Sequence, residues 1–180
     1  IKMTRVAFGI DKTRNYEFSS MQELSPEIIN RNPGTRDNIR IVDLESTLLS
    51  NIQLQSNTNF YTFNDGDIIN YPIDGKDTPV FIAAREIDKK RLPDKSYLNT
   101  TYKYTHGYGI VINPINRITS KGQIDYILSG LRMKSEDPNL KILQPQIYYG
   151  ELTQDHVIVN SSNNLDEIDY DGNSTTRYKG

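Results

Sequence analysis

The segment from residue 68 to residue 84 limits the possible folds more than any other part of this chain. Two extended runs, residues 68–73 and 80–84, flank the dipeptide Asp74-Gly75. Asp-Gly between two such runs is a strong hairpin signal, because both residues accept the left-handed backbone of a tight turn. We therefore predict a β-hairpin here.

The other segments predict a mixture of short strands and short helices. Asp43 caps a predicted helix in the stretch DLESTLLSNIQLQ, whose apolar residues repeat at helical spacing. Residues 108–113 form an apolar run without alternation, which is typical of a strand covered on both faces. Further elements are a strand at 38–42, a strand at 59–63, a short helix at 85–90, and two strands at 146–152 and 156–160 that form a second hairpin. This order lacks a steady βαβ alternation and predicts an α+β fold with a mixed or antiparallel sheet and short helices.

Composition excludes several classes of function. The 180 residues fit a single domain, or the first part of a larger one. With 21 Lys and Arg against 23 Asp and Glu, the net charge is −2, which gives no basic footprint for nucleic acid. There is no cysteine, so thiol catalysis, thiolate metal sites and disulfides are excluded. The chain begins at Ile1 with residues of helical spacing, and we expect it to be a piece of a longer protein.

The stretch YTHGYG contains His106, one of only two histidines. A catalytic histidine needs a partner that fixes its tautomer, and a metal-ligating one needs further ligands. Glu86 and Glu151 are the candidate companions in such a site, although no local spacing motif joins them to His106. The competing interpretation is a turn into the strand at 108–113, with a histidine that serves the structure.

The polar tail at residues 161–180 is acidic and resembles part of a calcium loop. Glu167, Asp169 and Asp171 occupy the first, third and fifth positions, and a glycine follows in the sixth. The twelfth position is Tyr178, where such a loop needs a bidentate glutamate. Calcium is therefore one candidate cofactor, and a solvated terminal segment is the alternative.

Several stretches occur in one order that together resembles a known family. The stretches are TRVAFGID (4–11), NIRIVD (38–43), YPIDG (71–75), ARE-ID (84–88), YTHGYG (104–109), IYYGE (147–151) and the tail DEIDYDG with YKG. The chain is similar, over nearly its whole length, to the large bacterial membrane proteins of uncharacterised protein family 0182.

The resemblance implies a multi-pass parent protein in the cell membrane, with this segment on the extracellular side. Its partner would then be the rest of the same protein, namely the transmembrane region and the downstream extracytoplasmic part. No catalytic residue comes with the family. We expect a non-enzymatic role in binding, assembly or the cell envelope; the alternatives are an extracellular metal- or carboxylate-assisted hydrolase using His106, Glu86 and Glu151, and a calcium-stabilised module.

Overall fold

A computed structural model describes residues 1–17, 23–161 and 167–168. The Asp74-Gly75 turn joins strand β2 (Asp67–Ile73) to strand β3 (Lys76–Ala84). Ile73 pairs with Lys76, so the loop has two residues, and both have positive φ, 50° for Asp74 and 74° for Gly75. This is the backbone that a type I′ turn requires, and the predicted hairpin is confirmed.

The hairpin belongs to a five-stranded antiparallel sheet with the order β2-β3-β6-β7-β8. The described residues form two further sheets of two strands each, in which β1 pairs with β4 and β5 pairs with β9. The remaining strands are β1 (Tyr61–Thr62), β4 (Glu86–Ile87), β5 (Gly107–Tyr108), β6 (Ile110–Pro114), β7 (Leu128–Ser129), β8 (Lys134–Ser135) and β9 (Gln146–Ile147). With its short helices, this architecture is α+β, as predicted.

Strand β6 is covered on both faces because successive side chains point to opposite sides of the sheet. On one side Val111 packs in a core with Phe63 and Phe81, and helix α4 (Leu44–Gln55) lies over it. On the other side Ile112 packs in a second core with Val80, Ile127 and Leu128, to which the segment at 127–142 contributes further apolar side chains. The apolar run without alternation is thereby explained, and Asp43 caps α4 by accepting the N–H of Ser46 at 3.1 Å.

Several strand predictions are wrong. Residues 38–42 form no strand; instead the N–H groups of Ile41 and Val42 both donate to the carbonyl of Ile115. The second hairpin is absent, since only Gln146–Ile147 is extended in a sheet and Ile158 donates its N–H to Thr101. Residues 85–90 contain β4 and then a 3-10 turn (Lys89–Arg91) rather than one helix.

The chain divides into two compact units, Ile1–Arg36 and Asp37–Gly180. The first contains α1 (Lys2–Ala7) and α2 (Pro26–Arg31), and α3 (Pro33–Asp37) ends one residue past its boundary. A π-helical turn (Asn99–Lys103) belongs to the second unit. None of the helices in the described residues has the length and apolarity to cross a bilayer.

Candidate functional site

His106 lies in the interior, with 1% of its surface exposed. Its Nδ1 is 2.9 Å from Thr105 Oγ1 and 3.4 Å from Glu167 Oε2, and its ring packs against the Tyr148 ring at 4.9 Å between centroids. The Thr105 hydroxyl donates its single hydrogen to Glu167 at 2.6 Å. Nδ1 must therefore carry the hydrogen of the His106–Thr105 bond, which fixes the protonation of that nitrogen.

Glu167 is the centre of this buried cluster. Its Oε2 accepts hydrogen bonds from the hydroxyls of Thr105 and Tyr148 at 2.6 and 2.7 Å, and its Oε1 accepts the N–H of Asn160 at 3.3 Å. Burial by itself raises the pKa of a carboxyl, but the hydrogen bonds from His106, Thr105 and Tyr148 outweigh it and lower the pKa of Glu167 to about 2. The carboxylate is therefore ionised at every physiological pH.

This placement bears on the calcium hypothesis. Glu167, the first of the three candidate ligands, directs its carboxylate to the His106 cluster, whereas Asp169 and Asp171 lie outside the described residues. In the described part of the chain no three His, Asp or Glu side chains are placed to hold a metal ion. Calcium binding stays a prediction.

Glu86 and Glu151 line one open cleft of about 550 Å³. Glu86 is 6% exposed and accepts the N–H of Leu152 at 2.7 Å, and Glu151 accepts a hydrogen bond from the Asn64 amide at 2.6 Å. The cleft is lined by both acidic and apolar side chains. It is lined by Asp65, Gly66, Asp67, Ile82, Ala83, Ala84, Glu86, Ile110, Tyr149, Gly150 and Glu151.

The structure thus brings two of the three hydrolase candidates to one cleft, while His106 lies in the separate buried cluster. Gly150 lets the Glu86 carboxylate lie close against the backbone, because a Cβ at that position would overlap Glu86 Oε2. Two further acidic residues, Asp65 and Asp67, also line the cleft, whereas Asp74 lies in the hairpin turn.

Arg85 is a buried charge that sequence reasoning missed. Its guanidinium donates to the carbonyls of Gln55 and Tyr108 at 2.7 and 2.8 Å and lies 5.3 Å from the centre of the Phe63 ring. Burial lowers its pKa to about 10, so the group stays charged at neutral pH. Its partners are backbone carbonyls distant in sequence, which no residue pattern could have indicated.

Replacing Arg85 with lysine should destabilise the fold by about 2 kcal/mol, because one ammonium cannot reproduce two forked hydrogen bonds made by a buried cation. Chemical denaturation measures this loss. The control is Arg117→Lys at a half-exposed side chain that pairs with Asp125, where about 0.5 kcal/mol or less is expected. If both variants lose the same free energy of unfolding, the buried hydrogen bonds of Arg85 stabilise the fold no more than the half-exposed ion pair of Arg117 does.

These features define an α+β protein whose sheet is flanked by a buried His–Glu cluster and an acidic cleft. The chain belongs to the Uncharacterised protein family (UPF0182), whose family model matches residues 1–180. The resemblance found in the sequence motifs is confirmed at the level of the family.

Relatives named UPF0182 protein match the whole chain. The one from Caldicellulosiruptor saccharolyticus is 42% identical over 185 residues, that from Moorella thermoacetica 38% over 187, and that from Clostridium botulinum strain Hall 41% over 183. The chain spans 20% of the length of each, so these relatives are about five times longer. No solved structure matches the chain.

Proposed function

We propose that this chain is an assembly module in the extracytoplasmic part of a bacterial multi-pass membrane protein. It acts by binding other parts of that protein and not by catalysis. One observation carries the proposal: the described residues of the unit Ile1–Arg36 include none that is buried.

The apolar side chains of this unit are the evidence for a missing partner. Met3 and Phe8, in and just after α1, are 88% and 76% exposed, and Val6 between them is 56% exposed. Burial of apolar surface is the main favourable term in folding and association, so a segment without a core gains stability only by packing against something else. The relatives contain four further chain lengths of polypeptide, and this remainder is the partner that we propose.

The buried cluster supports a non-catalytic role. His106, Thr105, Tyr148 and Glu167 direct their polar atoms at one another, and His106 does not line the acidic cleft. A histidine held in this way joins distant parts of the chain and is not presented to a substrate. The extracellular location is supported by the resemblance to bacterial membrane proteins.

Cysteine labelling tests both location and assembly, because this chain has no cysteine of its own. Met3→Cys and, as a control, Lys121→Cys at an exposed loop position are made in a cysteine-free version of the longer polypeptide in cells. A membrane-impermeant maleimide should label Lys121→Cys in intact cells and should label Met3→Cys only after denaturation. Labelling of Lys121→Cys only after lysis would contradict the location. Equal labelling of Met3→Cys in native and denatured protein would contradict the assembly role.

A further inference from the structure

In the part of the chain that the structure describes, strand β2 is an edge of the five-stranded sheet and pairs with β3 alone. Among the described residues, none forms a backbone hydrogen bond to the outer side of Asp67–Ile73. A seven-residue edge with open donors and acceptors is a template for another strand.

The register of the hairpin identifies the open groups. The residues that flank a two-residue turn, Ile73 and Lys76, exchange both of their hydrogen bonds, and hydrogen-bonded pairs alternate with non-hydrogen-bonded pairs along the strands. Ile69 and Tyr71 therefore bond to β3, whereas the backbone groups of Ile68 and Asn70 point outward. Pro72 also lies on the outward side, where its missing N–H costs nothing to the hairpin.

The side chains of β2 also lack cover. Only Ile73 of the seven residues is buried, and Ile68 and Ile69, which face opposite sides of the sheet, are 38% and 40% exposed. Natural edge strands are commonly protected from pairing with another chain because they are short or because they carry a charged residue or a proline. In β2 the one charge and the one proline lie near the two ends, and the middle stretch Ile68–Ile69–Asn70–Tyr71 has neither.

We propose that the longer polypeptide supplies a strand that pairs with the outer edge of β2 and extends the sheet. The inference names one contact of the proposed assembly role and rests on that role. On one face of the sheet, Asp67, Ile69 and Tyr71 follow one another at alternate positions, and Asp67 also lines the acidic cleft. Directly opposed side chains on paired strands lie about 5 Å apart. The added strand therefore has Lys or Arg opposite Asp67 and apolar residues opposite Ile69 and Tyr71.

Residue-resolved hydrogen exchange on the longer polypeptide tests this pairing, with β2 itself as the internal control. The hydrogen-exchange rates of the Ile68 and Asn70 amides should lie within about tenfold of the rates of the Ile69 and Tyr71 amides, which bond to β3. Fast exchange at Ile68 and Asn70 beside slow exchange at Ile69 and Tyr71 would refute the added strand. If the added strand is refuted but Met3→Cys is still protected from maleimide, the assembly role stands without the strand. If Met3→Cys is also labelled in the native protein, both proposals fail.

A pair of variants separates the backbone contact from side-chain effects. Asn70→Pro removes the outward N–H and leaves the bonds to β3, whereas Asn70→Ala keeps the N–H. In the longer polypeptide, Asn70→Pro should raise the exchange rate at Ile68 at least about tenfold and Asn70→Ala should not. Equal rates in both variants would refute the strand pairing. If the slow hydrogen exchange at Ile68 is lost when the protein is diluted, the strand that pairs with β2 comes from a second copy of the protein. That result would also overturn the proposal.

Discussion

Replacing Glu167 with glutamine is expected to destabilise the folded chain by about 3 kcal/mol at neutral pH and to reduce its sensitivity to acid. The pKa of Glu167 is about 2 in the folded protein against an ordinary value of 4.5, and each pKa unit corresponds to about 1.4 kcal/mol. Because the folded pKa is the lower one, the stabilisation is complete above about pH 4.5 and is lost as the pH falls from there toward 2.

Unfolding by urea at several values between about pH 7 and about pH 2.5 measures this effect. The free-energy gap between the wild-type protein and Glu167→Gln should be largest at neutral pH and should shrink as the pH falls. The control is Glu151→Gln, an exposed carboxylate that accepts one hydrogen bond from Asn64, and it should change stability little at any pH. A gap that stays constant across the range would show that the charge of Glu167 is not what stabilises the fold.

The Glu167 cluster shows where prediction from sequence ends. Thr105 and Glu167 are 62 positions apart, and what joins them is the path of the chain between them. The acidic tail drew attention because its spacing resembled a calcium loop, yet its first candidate ligand accepts hydrogen bonds from Thr105 and Tyr148. The interpretation of His106 as a residue that serves the structure at a turn into a strand named neither its burial nor its partners Thr105 and Glu167.

Local signals were reliable where the physical cause is local. The Asp74-Gly75 hairpin and the Asp43 cap depend on neighbouring residues alone, and both were predicted. The strands proposed at 38–42 and 156–160 failed because an extended run forms a strand only if another strand lies beside it. Instead of a ladder, the N–H groups of Ile41 and Val42 share the carbonyl of Ile115, and the N–H of Ile158 donates to the carbonyl of Thr101.

The second large effect is expected at Gly107, within the YTHGYG stretch. Gly107→Ala should cost at least about 3 kcal/mol, or abolish cooperative folding. A Cβ at this position would overlap the carbonyl oxygen of Arg85 and lie 2.7 Å from the Cα of Glu86. Both obstacles are backbone atoms, so no rotation of a side chain can relieve the clash.

The clash cannot be relieved by moving β5 either, because that strand is held on two sides. Gly107 pairs with Ile147 of β9, and the N–H of Tyr108 donates to the carbonyl of Arg85 at 2.9 Å. A shift that made room for a methyl group would stretch this bond and displace His106, the preceding residue, from Glu167. Gly107→Ala should therefore also weaken the acid sensitivity that depends on Glu167.

Thermal melting at neutral pH, followed by urea unfolding at low pH, tests Gly107→Ala against Gly34→Ala. Gly34 lies in helix α3 without a positive φ, and no atom lies within 4 Å of the place that an added methyl group would take, so alanine there should be neutral or slightly stabilising. If Gly107→Ala has the same melting temperature as the wild type, the close approach of β5 to β4 does not require a glycine. The glycine would then serve only the turn that leads into the following strand. If it melts far lower and loses acid sensitivity, Gly107 is required because it lets His106 reach Glu167.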